Sequence, residues 1–361
     1  MNRYFVPFAA LRQQPTIVVD SVGLGAALTL AHWRGAATPA ALRDDTSAGS
    51  VLRALHRPET PGLAAPAVTA NHFDIDGFVG VWALLHPETA LRHEALLRLV
   101  AALGDFREVD RANPLADHAL QLVCWLNAEE KARFYEPFGA PACKRREDEA
   151  SAEKFAWFLP RFAEILETPA AGRAAWAPEY ERVRQAAAVA RGPGTRRVDY
   201  PDIGLAVIRT PEPLPYYALF GPTAGLDWVL SVYDGQRYEL ECKYTTWIDL
   251  ESRPTLPRLA LGPLTVRLNA LETSGRAWAA DGPTDTGPLL RLAAPRKLSK
   301  AQRYADPDGR PIYASSIPPE VLESEVLAFL RQGYAGIHPK KYWTWTEVKA
   351  VGTTELRAFN G

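Results

Sequence analysis

The stretch NHFDIDGFVGVWALLHPE, residues 71–88, places one histidine and two aspartates within five positions, directly before an apolar run. Alternate side chains of an extended backbone point to the same side, so His72, Asp74 and Asp76 would converge there. The preceding run AAPAVTANH is a weak strand candidate, and the apolar run that follows indicates a helix. We therefore expect a strand that delivers three ligand-type side chains to the start of a helix.

Two interpretations of this stretch remain open. Mixed imidazole and carboxylate ligands suit manganese, iron or zinc better than calcium or magnesium. A calcium EF-hand is excluded, because with Gly77 at the sixth loop position the twelfth is Ala83 rather than glutamate. In the alternative interpretation the residues are structural: Asp76 caps the helix, Asp74 forms a local turn and His72 makes a local hydrogen bond.

The surrounding pattern predicts an α/β domain with a parallel sheet over residues 1–140. PTIVVD is a β-branched strand candidate, and TSAGSVLRALHRP is typical of a helix with Thr46 or Ser47 as its N-cap. FVGVWALLHP and ETALRHEALLRLVAALGD predict two further helices with a break near Pro87. Strands that alternate with helices are typical of parallel sheets covered by helices.

The remainder of the chain divides by composition into three segments. Charged stretches with helical spacing predict a helical connector over residues 141–197. The runs IGLAVIRT, DWVLSVYDG and QRYELECKYTTWIDLE predict a smaller β-rich α+β domain over residues 198–300. Within it, YDGQRYELE predicts a hairpin, because Asp-Gly supports the backbone angles of tight turns. Residues 301–361 should form a C-terminal helix and an aromatic tail.

Composition narrows the class of protein. An apolar fraction of 47% and a charged fraction of 23% are typical of a globular protein. No apolar run approaches the roughly 20 residues of a membrane span, and the N-terminus does not resemble a secretory signal, so we expect a cytoplasmic protein that does not engage a membrane. Three widely spaced cysteines, Cys124, Cys143 and Cys242, predict reduced thiols.

The charge predicts which partners are suitable. A formal net charge of −1 gives no general attraction to a long nucleic acid, but a local site for a phosphorylated small molecule remains compatible with it. A homodimer is a further option that the sequence leaves open. Gly-x-Ser-x-Gly and Walker phosphate-loop motifs are absent from the sequence, so the usual motifs of acyl transfer and nucleotide hydrolysis do not apply.

Several other polar residues are candidates for the same site. Asp20 ends the strand PTIVVD, and His32 follows an apolar stretch together with Arg34. Asp45 lies in RDDTS, where helix capping is the ordinary role of such a residue. Asp105 closes a long apolar helix, where a negative charge is mildly unfavourable against the helix dipole. Metal coordination and simple solvation are equally compatible with that position.

NHFDIDGFVGVWALL resembles the first motif of the DHH phosphoesterase superfamily, in which a strand delivers His-x-Asp-x-Asp-Gly to a helix. The resemblance implies that His72 and Asp74 hold one divalent ion and Asp76 another, with Asp105, in AALGDF, as a further ligand. LTLAHWRG with DDTSAGSVLRAL is similar to an eroded Asp-His-His segment, although here it precedes the first motif, so the motif order is permuted. The pattern is also similar, over most of the chain, to a bacterial family of unknown function.

The resemblance implies a metal-dependent hydrolase of a phosphoester-containing small molecule or short nucleotide, bound in a cleft between two domains. One or two ions, Mn²⁺ or alternatively Zn²⁺, Fe²⁺ or Mg²⁺, would take part, with His32 and Asp76 as catalytic residues. Further predicted residues are the metal ligands Asp20, His32 and Asp45 and the phosphate-binding Arg34, Arg253 and Arg258. The alternatives are a degenerate scaffold that binds a nucleotide or a partner protein, and a metal-dependent enzyme for a non-phosphate substrate.

Overall fold

A parallel sheet organises the first half of the chain in the computed structural model, which describes residues 2–23, 25–135, 147–294 and 305–358. The chain divides into two units, Met1–Arg182 and Val183–Gly361. The helices predicted as a connector lie mainly in the first unit, and the predicted C-terminal segment lies in the second. The predicted boundary at residues 140–141 and Cys143 lie outside the described residues.

Four strands form the sheet of the first unit in the order β1-β4-β2-β3, and every neighbouring pair is parallel. The central strand β2 is buried along its whole length, as expected where helices cover both faces of a parallel sheet. This confirms the predicted α/β class. The strands are β1 Tyr4–Phe5, β2 Thr16–Val19, β3 Leu28–Leu30 and β4 Ala67–Thr69.

Eight α-helices accompany this sheet in the described part of the chain, and the last of them extends past Arg182 into the second unit. The Thr46 side chain caps the first helix by accepting from the Gly49 N–H at 2.9 Å, so Thr46 rather than Ser47 is the N-cap among the two that the sequence predicted. The predicted break at Pro87 is present, and a second one at His93 divides the following helix. The helices are α1 Ser47–Leu55, α2 Ile75–Leu85, α3 Pro87–Arg92, α4 Glu94–Phe106, α5 Ala116–Phe134, α6 Glu147–Phe158, α7 Phe162–Glu167 and α8 Arg173–Ala190.

Aromatic packing fixes the segment that follows β4. The Phe73 ring stacks on Phe158 with centroids 5.0 Å apart and contacts Phe155 edge-on at 5.2 Å. The buried Ser151 hydroxyl accepts a hydrogen bond from the Phe73 N–H at 2.9 Å. Because Phe73 points into this core, His72 and Asp74 on either side of it point the other way.

Helix α2 also approaches the sheet closely. A Cβ atom on Gly80 would lie 2.7 Å from Cγ1 of Val19 and 3.4 Å from Cα of Ala48. Only glycine permits this separation, and it brings the start of α2 close to the end of β2 and to α1. The amino ends of two helices therefore lie beside the carboxyl end of the central strand.

The second unit contains a mixed six-stranded sheet in the order β5-β6-β7-β8-β10-β9, in which only β6 and β7 pair in parallel among the described strands. Apolar clusters cover both faces of this sheet. The strands are β5 Arg196–Tyr200, β6 Leu205–Thr210, β7 Trp228–Tyr233, β8 Arg237–Cys242, β9 Trp278–Ala280 and β10 Leu289–Leu292, and the helices are α9 Tyr216–Phe220, α10 Gly262–Leu271, α11 Pro319–Gly333 and α12 Trp345–Ala358.

The predicted hairpin joins β7 to β8. Tyr233 pairs with Arg237, and the turn between them places positive φ angles at Gly235 and Gln236. The predicted hairpin is thus confirmed. None of the helices in the described segments combines the length and the apolar character needed to cross a bilayer.

Candidate metal centre

Three neighbouring strands of the parallel sheet end in ligand-type residues. Asp20 directly follows β2, His32 follows β3, and His72 and Asp74 follow β4. These strands all run in one direction, so their carboxyl ends meet at one edge of the sheet, where open α/β sheets bind ligands. The structure therefore brings together residues that are far apart in the sequence.

One group of ligand atoms, the inner group, is buried and consists of Asp20, His32 and Asp76. One atom from each lies within 4.8 Å of the others. Nε2 of His32 is 3.5 Å from Oδ1 of Asp20 and 3.8 Å from Oδ2 of Asp76. Asp105, near the end of α4, places its Oδ2 atom 3.4 Å from the same nitrogen.

A second group, the outer group, consists of Asp20, His72 and Asp74 and is partly open to solvent. Nε2 of His72 lies 3.0 Å from Oδ2 of Asp74 and 3.4 Å from Oδ2 of Asp20. The His72 and Asp74 side chains are 25% and 34% exposed, whereas that of Asp20 is 1% exposed. Asp20 thus belongs to both groups, with one carboxylate oxygen facing each histidine.

The backbone and a serine hydroxyl fix the orientation of Asp20. Its φ angle of 46° lies in the left-handed region, which aspartate enters more readily than most residues. Its N–H donates to the Leu30 carbonyl at 3.0 Å, which ties the end of β2 to β3. Oδ1 of Asp20 accepts a hydrogen bond from the Ser47 hydroxyl at 2.7 Å. The carboxylate is therefore held between the two histidines.

Acceptors on the far side of each imidazole set the tautomer of both histidines. Nδ1 of His32 lies 2.6 Å from the Asp45 carbonyl oxygen, and Nδ1 of His72 lies 2.6 Å from Oδ1 of Asn71. A carbonyl oxygen can only accept, so Nδ1 carries the hydrogen and a neutral ring directs its Nε2 lone pair toward the carboxylates. Histidines that bind metals in proteins are oriented in this way.

Two helix N-termini hold the other carboxylates. Asp76 accepts from the Ser47 N–H at 2.7 Å and from the Ala48 N–H at 2.8 Å, at the start of α1. Asp74 is the N-cap of α2 and accepts from the Gly77 N–H at 2.8 Å. The structural interpretation assigned the cap of α2 to Asp76, but Asp74 provides it. Each carboxylate still has lone pairs available for an ion.

Burial dominates the electrostatics of the inner group. It raises the pKa of Asp76 to about 7 and raises the pKa values of Asp20 and Asp105 from their ordinary range, with neighbouring aspartates adding to each shift. Burial also disfavours the charged form of Asp74, but the charge and the Nε2–H hydrogen bond of a protonated His72 outweigh this and lower the pKa of Asp74. Several carboxylates gathered out of water are stabilised by a cation.

Two carboxylate oxygens of this site also have no hydrogen-bond partner within the described residues. They are Oδ2 of Asp20 and Oδ2 of Asp105, each with almost no contact with solvent. Buried polar atoms are normally paired because leaving one unpaired costs about 1–3 kcal/mol. Buried acceptors without donors, next to the Nε2 atoms of two histidines, fit a divalent cation.

A family model matches residues 1–341 of this chain. The chain belongs to DUF6687, a family of unknown function. Comparisons with curated proteins and with solved structures found no match.

The donor types of this DUF6687 chain restrict the kind of ion. Imidazole nitrogens combined with carboxylate oxygens suit Mn²⁺, Fe²⁺ and Zn²⁺, whereas sites made of oxygen ligands alone suit Ca²⁺ and Mg²⁺. Each group contains one histidine, so each has the mixed donor set. The predicted ligands Asp20, His32, His72, Asp74 and Asp76 thus lie in these two groups, with Asp105 beside the inner one.

The remaining predicted residues have other contacts. Asp45 offers its backbone carbonyl to His32, and its carboxylate is in neither ligand group of the described residues. Arg253, in the second unit, donates to Asp227 at 2.7 Å. Arg34 follows His32 in the first unit. Phosphate binding by Arg34 and Arg253 stays a prediction.

Arg258 is fully buried in the second unit. Its Nε donates to the Thr246 hydroxyl at 2.7 Å, and its terminal nitrogens donate to four backbone carbonyls. All five N–H groups of this guanidinium therefore have protein acceptors, which gives Arg258 a structural role rather than a phosphate-binding one. The carbonyls belong to Lys243, Pro283, Asp285 and Thr286.

Sequence reasoning missed three small polar residues that support the ligands. Ser47 contacts Asp20, Asp76 and the His32 N–H, the last at 3.2 Å. Ser21 and Asn71 hydrogen-bond to each other through both the Asn71 side chain and its N–H, which holds the residue that orients His72. The available signal was position, because Ser21 and Asn71 both follow shortly after a strand end.

Proposed function

We propose that this protein is a divalent-metal-dependent hydrolase of a phosphoester-containing small molecule or short nucleotide. The observation that carries the proposal is the Asp20 carboxylate, whose two oxygens face His32 and His72 at 3.5 and 3.4 Å. A shared carboxylate with one mixed ligand group on each side is suited to two ions. The similarity of NHFDIDG to the DHH phosphoesterase motif supports phosphate as the reacting group, and a cytoplasmic location is part of the proposal.

When bound, divalent ions would lower the pKa of a coordinated water and neutralise charge on a phosphate. The protein residues would hold these ions in place. Asp20, His32 and Asp76 would bind one, and Asp20, His72 and Asp74 the other. Ser47 and the Asp45 carbonyl fix the ligand orientations, so the folded chain needs little rearrangement before binding.

Metal binding is the first test of this proposal. Protein purified without chelator should contain manganese, zinc or iron, or bind added Mn²⁺ in a calorimetric titration. At a Mn²⁺ concentration a hundredfold above Kd, binding should stabilise the folded state by about 2.7 kcal/mol. For a protein of 361 residues that corresponds to a rise in melting temperature of roughly 3–4 °C. A folded chain that binds none of the three metals would refute the proposal.

Turnover is the second test. Phosphodiester and phosphomonoester substrates should be hydrolysed in the presence of Mn²⁺, and Asp76→Asn should abolish hydrolysis while the circular dichroism spectrum is retained. Asp117→Asn is the matched control, since Asp117 lies on α5 with its side chain 60% exposed. Metal binding without hydrolysis of any phosphoester would support the alternatives, a binding scaffold or an enzyme for a non-phosphate substrate.

A further inference from the structure

We propose that the two ligand groups bind divalent ions with unequal affinity, so that the inner ion is retained and the outer ion exchanges with solution. Activity would then follow the free concentration of the divalent ion. This inference rests on the proposed function and concerns the regulation of the same site.

Burial separates the two groups. The side chains of Asp76 and Asp20 in the inner group are 0% and 1% exposed, and that of Asp105 is 6% exposed. Folding has already removed these carboxylates from water, so an incoming ion does not displace their hydration. Charge attraction is also stronger where water is excluded. An ion in the inner group therefore gains more free energy than one beside the hydrated His72 and Asp74.

Ligand number adds to the difference. With Asp105 beside it, the inner group offers three carboxylates and one imidazole, a set of four protein ligands. The outer group offers two carboxylates, one of them shared, and one imidazole. Catalytic metal sites commonly combine three protein ligands with an open position for water or substrate. The outer ion would accordingly be the one that contacts the phosphoester.

A separate observation points to a cation in the inner group. Oδ2 of Asp105 lies 3.4 Å from Nε2 of His32 and lacks a hydrogen-bond partner among the described residues, and its side chain is more than nine-tenths buried. Oδ2 of Asp20 also lacks a partner among these residues, but it faces His72 in the outer group. Oδ2 of Asp74, in the outer group, lies 3.0 Å from Nε2 of His72, and the Asp74 side chain is partly open to solvent. An ion in the inner group satisfies the unpaired buried oxygen of Asp105, whereas solvent reaches part of the outer group.

The experiment is a Mn²⁺ titration of metal-free protein, followed by calorimetry and by the electron paramagnetic resonance signal of free Mn²⁺. The wild-type protein should bind two equivalents in separate steps, the second at least tenfold weaker, and should keep one equivalent through gel filtration. Asp74→Asn should remove only the weak step, and Asp76→Asn only the tight one. Asp20→Asn should weaken both, and the exposed control Asp117→Asn neither.

Hydrolysis should rise with the occupancy of the weak step. Two equal steps, or loss of the tight step in Asp74→Asn, would overturn the inference and leave the proposed function standing. A folded wild-type chain that binds no Mn²⁺ would instead remove the proposed function itself. If Asp76→Asn does not fold, because Asp76 holds the start of α1, Asp105→Asn replaces it. That variant should weaken the tight step alone, and an unchanged tight step would count against the inference.

Discussion

Replacing Ser47 with alanine should weaken metal binding without removing a ligand. The change deletes a hydroxyl that donates to Asp20 at 2.7 Å and accepts from the His32 N–H at 3.2 Å, at a fully buried position. A hydrogen bond to a charged group contributes about 1.5–3 kcal/mol, so metal-free stability should fall by about 2 kcal/mol. Loss of a group that orients a metal ligand typically reduces affinity by about 10–100-fold.

Two assays separate these effects. Urea unfolding in the presence of chelator measures the loss of stability, and competition with a chelating dye measures the Mn²⁺ affinity. Ser50→Ala is the matched control, because Ser50 is also buried on α1 but its hydroxyl has no hydrogen-bond partner in the described part of the chain. If both alanine variants bound Mn²⁺ with wild-type affinity, Ser47 would have no role in positioning the ligands.

Three further predictions concern pH, the second unit and the packing of α2. In metal-free protein, burial raises the pKa of Asp76 from 3.8 to about 7, so between these pH values the folded state keeps a proton that the unfolded state has lost. Urea unfolding at a series of pH values should therefore show that the free energy of unfolding falls as the pH rises from about 4 to 7. A flat profile would contradict this prediction. Arg258→Met should lower unfolding stability by at least about 3 kcal/mol, because several buried acceptors lose their donors at about 1–3 kcal/mol each, while Mn²⁺ affinity in the dye assay stays unchanged. Gly80→Ala should cost about 1–3 kcal/mol in the same unfolding assay, since the added methyl group would lie 2.7 Å from Val19; wild-type stability would show that α2 can move away.

Local signals in the sequence were sufficient for the main elements of the first unit. The β-branched run at residues 16–19, the capped start of α1 at Thr46 and the apolar run of α2 all have the predicted type. The alternation of strands with helices then predicts the parallel sheet. These features are local, so each can be recognised without knowledge of the rest of the chain.

The short strands could not be predicted in the same way. Strand β1 has two residues and β3 has three, too few for any periodicity to appear. Strand β3 exists because Leu28, Thr29 and Leu30 pair with β2, which is a tertiary contact. The second break, at His93, and the strand β5 were missed as well.

The candidate site shows the same division between local and distant information. The sequence places His72, Asp74 and Asp76 together, but it does not show that Asp76 lies in the first turn of α2 and reaches α1. The separation of the ligands into an inner and an outer group depends on how closely α1 and α2 approach each other. The carboxylate of Asp45 was predicted as a metal ligand, whereas in the structure the Asp45 backbone carbonyl accepts a hydrogen bond from Nδ1 of His32, a role that no side-chain pattern can indicate.

The inner ligands come from two strand ends and two helices that lie far apart along the chain. An ion bound to Asp20, His32, Asp76 and Asp105 would act as a removable cross-link between these segments, because the unfolded chain does not hold them together. Because the ion closes these long loops only in the folded state, it slows local opening of the first unit. Chelation should therefore speed amide hydrogen exchange and proteolytic cleavage in residues 16–106 and leave the sheet of the second unit protected.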